Sequence, residues 1–294
     1  MALHTIRYYE AWPGLKIPLS DEEIVRYSRQ LILSEVGGKG QVRLRDARVL
    51  LVGAGGLGSP AALYLAAAGV GTVGMLDADA VDASNLQRQI LHRTADIGRP
   101  KTASAAESLK ALNPLIQIVA HQERLTAANA AALIDRYDVV VEGSDNFPTK
   151  FLVNDACVLA GKPFVIAGIL QFIGQILTVL PGKSACYRCL FPEPPAPGAV
   201  PSCQEAGVLG AVAGTIGTLQ ATEVIKYLLG VGDTLAGRLL IYDALAMEFR
   251  EVTVERDAHC PVCGSQPTIR TLADYEEDMC AHGYGKPGCG GTHG

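Results

Sequence analysis

Four cysteines are spaced to hold a metal ion. Cys186-x-x-Cys189 and Cys260-x-x-Cys263 each let two thiolates face one ion, and together they supply four sulfurs with no open position, the set structural zinc prefers. Such a Zn²⁺ holds structure and performs no chemistry; it clips a loop of about 70 residues whose closure entropy the metal bonds offset. A redox Cys-x-x-Cys would use one pair and leave the other unexplained.

The second constellation is Gly53-Ala54-Gly55-Gly56-Leu57-Gly58, a G-x-G-x-x-G turn between an apolar run at 48–52 and a small-residue helix at 60–68. Glycines permit the tight turn and close backbone approach, and the helix N-terminus offers amides to a phosphate. Asp77, ending the next strand at 72–76, is placed to accept ribose hydroxyls. This series predicts a nucleotide site at Gly53, Gly55, Gly56, Gly58 and Asp77 but does not choose NAD over ATP.

Charged and amide side chains argue for ATP. Asp79, Asn85, Arg88, Gln89, Lys101, Asp145 and Asn146 all follow predicted strands, at the carboxyl edge where open parallel sheets bind ligands. Arg88 and Lys101 could neutralise phosphate oxygens while an aspartate holds Mg²⁺. Hydride transfer needs none of these. Cys203 follows a loop with five prolines at 192–201 and precedes a helix expected near Glu205, whose amides could stabilise a thiolate. A nucleophile and a small packed residue remain alternatives there. Cys157, inside an apolar helix, reads as packing.

Positioning these groups requires an α/β fold. Ser20 and Glu23 form a capping-box pattern before a helix starting near residue 21, with Arg26 and Arg29 on its polar side. Strands at 48–52, 72–76, 116–120 and 138–142 alternate with helices at 60–68, 102–112, 127–136 and 147–160, which predicts a parallel sheet covered on both faces. Further strands are expected at 164–167, 171–180, 239–242 and 248–254, and the apolar stretch at 207–222 reads as a buried helix. The fold class is therefore α/β: a Rossmann-like, doubly wound, mostly parallel sheet continued by antiparallel strands, with a structural zinc site. Residues 1–19 form an N-terminal extension, 20–264 the main domain, and 265–294 a polar, glycine-rich tail expected to be mobile. That tail carries Cys280, His282, Cys289 and His293, which could bind a second metal or relay sulfur, although disorder fits its composition better.

The 294 residues are 49% hydrophobic and 19% charged, with net charge -5. That is globular make-up with no basic stripe, which disfavours nucleic acid and anionic membranes as partners. The first twenty residues lack the apolar core of a secretory signal, and no stretch suits a membrane span, so a cytoplasmic location is expected.

In this order along the chain, Arg26-Tyr27-Ser28-Arg29-Gln30, the glycine turn, Asp77-Ala78-Asp79, Asn85-Leu86-Gln87-Arg88-Gln89, Lys101, Ser144-Asp145-Asn146, Cys186-Tyr187-Arg188-Cys189 and Cys203-Gln204-Glu205-Ala206-Gly207 resemble the bacterial E1-like activating enzymes of molybdopterin and thiamine biosynthesis, the MoeB/ThiF family, over roughly residues 20–264. The resemblance implies an adenylyltransferase acting on the C-terminal Gly-Gly carboxylate of a ubiquitin-like sulfur-carrier protein, ahead of thiocarboxylate formation. It implies Asp77 on the ribose, Arg88 and Lys101 on phosphates, Asp145 on Mg²⁺ with Asp79 nearby, and Asn85 and Gln89 positioning the nucleotide. Arg29 matches an arginine that reaches a neighbouring subunit's site, which implies a homodimer. Cys203 matches a cysteine that some relatives use covalently. Relatives with their own sulfurtransferase domain are longer, so a separate sulfur donor is expected. An NAD-dependent oxidoreductase and a noncatalytic zinc-stabilised binding module are the competing readings.

Overall fold

The computed structural model describes residues 19–195 and 206–275. Cys203 and the cysteines and histidines of the tail lie outside them. Helices α1 (Asp21–Arg26), α2 (Ser28–Leu31) and α3 (Gly37–Asp46) lead into β1 (Arg48–Val52), α4 (Gly58–Ala68) and β2 (Thr72–Leu76). Two short 3₁₀ turns, Ala83–Asn85 and Thr94–Asp96, then precede α5 (Lys101–Leu112), β3 (Gln117–His121), α6 (Ala130–Ile134), β4 (Val139–Glu142) and α7 (Phe147–Leu159). The chain continues as β5 (Phe164–Leu170), β6 (Ile173–Val179), α8 (Tyr187–Leu190), α9 (Gly210–Leu229), β7 (Arg238–Asp243) and β8 (Glu248–Thr253).

All eight strands form one sheet in the order β3-β2-β1-β4-β5-β6-β7-β8. The first five are parallel, and β6, β7 and β8 follow antiparallel, as expected. Alternating residues of β1 divide between two cores: Val49 and Leu51 meet α4 and α9, whereas Leu50 and Val52 meet α6, α7 and the cysteine knuckles. Burial on both faces explains why the central strands read as unbroken apolar runs.

Strand order reverses between β1 and β4, and ligands bind at the carboxyl end of such a switch point. The glycine turn leaves β1 there and Ser144-Asp145-Asn146 leaves β4 beside it. Gly53 adopts φ +99°, and a Cβ on Gly58 would lie 1.9 Å from the Gly53 carbonyl oxygen, so the turn closes on glycine alone. A Cβ on Gly217 of α9 would approach the Leu57 carbonyl oxygen to 2.4 Å, so α9 braces the turn by close backbone contact.

Two expectations are corrected, and one helix is added. Helix α3 went unread because its sequence opens Gly-Gly-Lys-Gly; burial of Gly38, Gly40, Gln41 and Leu44 overrides their poor propensity, and Arg43 caps the Leu229 carbonyl at the end of α9. The glycine-rich helix begins at Gly210, later than expected, since Gly207 is left-handed (φ +80°) and its carbonyl accepts the Gln171 amide, while the Leu209 amide donates to Gln171. The segment after Gly264 packs as far as Tyr275: Ile269, Leu272 and Tyr275 join the knuckle-side core, and Asp274 accepts the Ala127 amide at 2.7 Å. Its few apolar residues lie too far apart to show a period.

Candidate functional site

Lys101 is the first residue of α5, where a cation opposes the helix dipole, so helix stability does not account for it. Its ammonium is nearly buried and lies 2.9 Å from Asp79 Oδ2. The Lys101 amide donates to the Asp79 carbonyl, which ties the start of α5 to the end of β2. Asp77 accepts from the Ala54 amide through Oδ2 and from the Asp79 amide through Oδ1, each at 2.8 Å. It therefore clamps the glycine turn, and each oxygen keeps a lone pair for a ribose hydroxyl.

The 83–92 segment crosses in front of the turn. Arg88 lies with its Cγ 3.3 Å from where a Gly56 Cβ would stand, and its guanidinium donates to the Ser84 carbonyl. Gln89 is buried beside Gly55 with Oε1 lacking a partner, and Ser59 Oγ in the first turn of α4 is likewise buried and unpaired. Two orphaned polar atoms, a glycine cradle and two cations fit a phosphorylated nucleotide, whose hydroxyls and oxygens would satisfy them. Asn85 Oδ1 is engaged by the Asp82 amide, and Asn146 Oδ1 caps α7 through the Thr149 amide, so both amides also serve local structure. Asp145, in the turn that leaves β4, is exposed and suits a metal–phosphate contact.

Arg29 is not brought to this site. Tyr27, two residues before it, bonds Asn113 at the far end of α5, about 18 Å along the helix from Lys101. Gln30, next to it, donates to Ala68 at the far end of α4. Arg29 itself is exposed.

Two residues that sequence reading missed support the site. Lys150 is buried and donates to Glu142, to the Ser144 carbonyl at 2.9 Å and to the Ala167 carbonyl at 2.6 Å. Glu142, fully buried at the end of β4, also accepts the Ser144 amide at 2.8 Å. Burial pushes its carboxyl up, and the Lys150 ammonium opposes that. This pair shapes the turn that presents Asp145, yet a lysine in an ordinary helical pattern reads as a solvated face. The other is His92, treated below.

The sulfurs of Cys186, Cys189, Cys260 and Cys263 all lie within 4.8 Å of one another. Their hydrogen-bonding separations of 3.9, 3.5 and 3.4 Å bracket the spacing of about 3.8 Å that a tetrahedron with about 2.3 Å metal–sulfur bonds requires. The Cys186–Cys260 contact raises the first thiol and lowers the second. The Asp257 amide points at Cys189 Sγ, support that a thiolate ligand needs. Between the paired cysteines, Arg188 is buried against Asp155, and Tyr275 bonds both. Among the described residues no other histidine, cysteine or carboxylate group converges this way.

A glycine turn at the switch point of a doubly wound sheet, with Lys101 and Arg88 near it, defines a Rossmann-type fold that also carries a four-cysteine cluster able to hold a metal ion. The ThiF family model matches residues 27–262, and the chain belongs to that family. It is 55% identical over 260 residues to the "Sulfur carrier protein adenylyltransferase" of Thermus thermophilus, covering 87% of this chain and 96% of that protein. It is 52% identical to the "Probable adenylyltransferase/sulfurtransferase MoeZ" of Mycobacterium tuberculosis and to the "Adenylyltransferase and sulfurtransferase MOCS3" of Sus scrofa, covering 88% and 89% of this chain but 66% and 58% of theirs. Among solved structures, Escherichia coli MccB with MccA-N7isoASN superposes with a TM-score of 0.73 at 24% identity, over 88% of this chain and 80% of that one, a likeness of fold.

Proposed function

We propose that the chain adenylates the C-terminal Gly-Gly carboxylate of a ubiquitin-like sulfur-carrier protein, using ATP. The observation that carries this reading is Lys101, a buried cation placed against its own helix dipole and paired with Asp79 after β2, with Arg88 packed at Gly56 of the turn. Identity of 55% across nearly the whole of a sulfur carrier protein adenylyltransferase supports the substrate class. In the reaction a carboxylate oxygen attacks the α-phosphorus, the bond to the bridging oxygen breaks, and pyrophosphate leaves with that electron pair. The nucleophile is already an anion, so no general base is needed. Catalysis rests on holding two anions together and on Arg88 and Lys101 neutralising charge that builds on the leaving phosphates.

Asp145, with Asp79 close by, would hold Mg²⁺, which supplies further charge neutralisation when bound. The four cysteines would hold Zn²⁺, a structural ion joining the end of β8 to the core. Arg29, remote from its own turn, would complete the site of a second copy, and the exposed Val25, Ile32 and Leu33 beside it suit burial in a homodimer. A separate protein would deliver sulfur to the adenylate. No helix among the described residues is long and apolar enough to cross a membrane, and we place the protein in the cytoplasm.

ATP–pyrophosphate exchange tests the reading: label should enter ATP only when a protein with a free Gly-Gly end is present. Calorimetry that finds no ATP binding but saturation with a nicotinamide dinucleotide would overturn it. For the metal, the purified protein should carry about one zinc per chain, and Cys260→Ser should lose it and lower the melting temperature by about 10 °C or more. Zinc lost without a thermal shift would remove its structural role.

A further inference from the structure

We infer that His92 is a positioning residue for nucleotide binding: its imidazole anchors the Ala54 carbonyl and thereby aims the Gly55 amide at the phosphates. The inference rests on the ATP reading above and adds a residue to it. His92 is 5% exposed and sits behind the glycine turn. Its Nε2 lies 3.0 Å from the Ala54 carbonyl oxygen and its Nδ1 lies 2.9 Å from Ser104 Oγ. A carbonyl oxygen only accepts, so Nε2 carries the hydrogen. Burial holds the imidazole below its usual pKa, in keeping with one N–H, at Nε2.

The Ala54 carbonyl and the Gly55 N–H belong to one planar trans peptide, in which the two groups point in opposite directions. Drawing the carbonyl inward to His92 therefore turns the Gly55 amide outward. That amide has no protein acceptor among the described residues. The preceding peptide is fixed as well, because the Ala54 N–H is held by Asp77. Glycines impose no conformation of their own, so a turn this rich in them needs such external anchors.

The anchor is itself braced. Ser104 Oγ also lies 2.9 Å from Asp96 Oδ2, so its one hydroxyl hydrogen is shared between Nδ1 and that carboxylate, and Asp96 is held in turn by the Arg93 amide at 3.0 Å and by Arg99. Ser104 stands one helical turn beyond Lys101 on α5. One helix thus carries a phosphate-directed cation on its first residue and the prop for the turn's anchor on its fourth.

Three substitutions separate this role from packing. His92→Gln can place a donor where Nε2 stands, His92→Asn reaches only the Nδ1 position beside Ser104, and His92→Ala does neither. Each is assayed by carrier-dependent ATP–pyrophosphate exchange, with KM determined separately for ATP and for carrier, and by thermal melting. His92→Ala and His92→Asn should raise the KM for ATP about tenfold, with the carrier KM within about twofold, and His92→Gln should stay within about threefold of wild type. A His92→Ala or His92→Asn protein with wild-type KM for ATP overturns the inference. So does His92→Gln matching the Ala variant, which would make the imidazole's shape the operative feature. Wild-type protein that shows no exchange instead overturns the adenylation reading, and this inference with it.

Discussion

Lys101→Met should lower carrier-dependent ATP–pyrophosphate exchange by about 100- to 1,000-fold, the range seen when one preorganised charge-stabilising donor is removed from a site. Methionine keeps the length and apolar stem of lysine and removes only the charge, so packing at the start of α5 is preserved. The ammonium's partner, Asp79, has 61% of its side chain exposed and can be rehydrated by water. Helix α5 itself gains from losing a cation at its first residue. The melting temperature should therefore stay within a few degrees, about 1 kcal/mol of stability. Activity and stability should move apart in this variant. Exchange above about a tenth of wild type would remove Lys101 from the phosphate site.

The opposite pattern is expected of Lys150→Met. This substitution leaves the Glu142 carboxylate buried without its cation and frees the Ser144 and Ala167 carbonyls, which lose their bonds to the ammonium. Breaking a buried pair on one side costs about 3–5 kcal/mol, which should appear as a melting temperature lower by about 10 °C. The loss should depend on pH. Glu142 already titrates above its ordinary 4.5 through burial, and without Lys150 it rises further. A folded state that holds a proton more tightly than the unfolded chain is stabilised at low pH, and the benefit disappears as pH rises through the folded value. The variant should accordingly fall furthest behind wild type near pH 8 and recover towards pH 5. Combining it with Glu142→Gln removes the stranded charge and should restore about half of the loss. A pH-independent deficit unchanged in the double variant would show that the charge is not the cause.

Both expectations concern one sheet edge, but only the first could be reached from the sequence. Lys101 follows a predicted strand and begins a predicted helix, so its place at the carboxyl edge is a consequence of chain order. Lys150 lies inside an amphipathic-looking helix at 147–159, where nothing local separates a buried lysine from a solvated one. His92 is similar: a lone histidine after Gln89 has no spacing partner, and its role exists only because Ala54, Ser104 and Asp96 arrive from three other segments. Arg29 illustrates a different limit. Resemblance places it at a neighbouring subunit's nucleotide site, and within one chain the fold sets its neighbours Tyr27 and Gln30 against the far ends of α5 and α4, away from Lys101.

Local chemistry determined what the amino-acid order could show alone. The glycine turn, the acid after β2, the Cys-x-x-Cys spacings and the apolar runs of the central strands each depend on neighbours a few residues away, and all were readable as such. The convergence of the two cysteine pairs across 74 residues was also legible, because each pair alone leaves a four-coordinate site half filled. The Arg188–Asp155 pair buried between the cysteines needed the fold. So did helix α3, whose Gly40 packs against Leu229 of α9, and the docking of the segment through Tyr275 onto Arg188 and Asp155. Those features arise from burial and from long-range hydrogen bonds, whose partners are chosen by packing and leave no periodic mark in the chain.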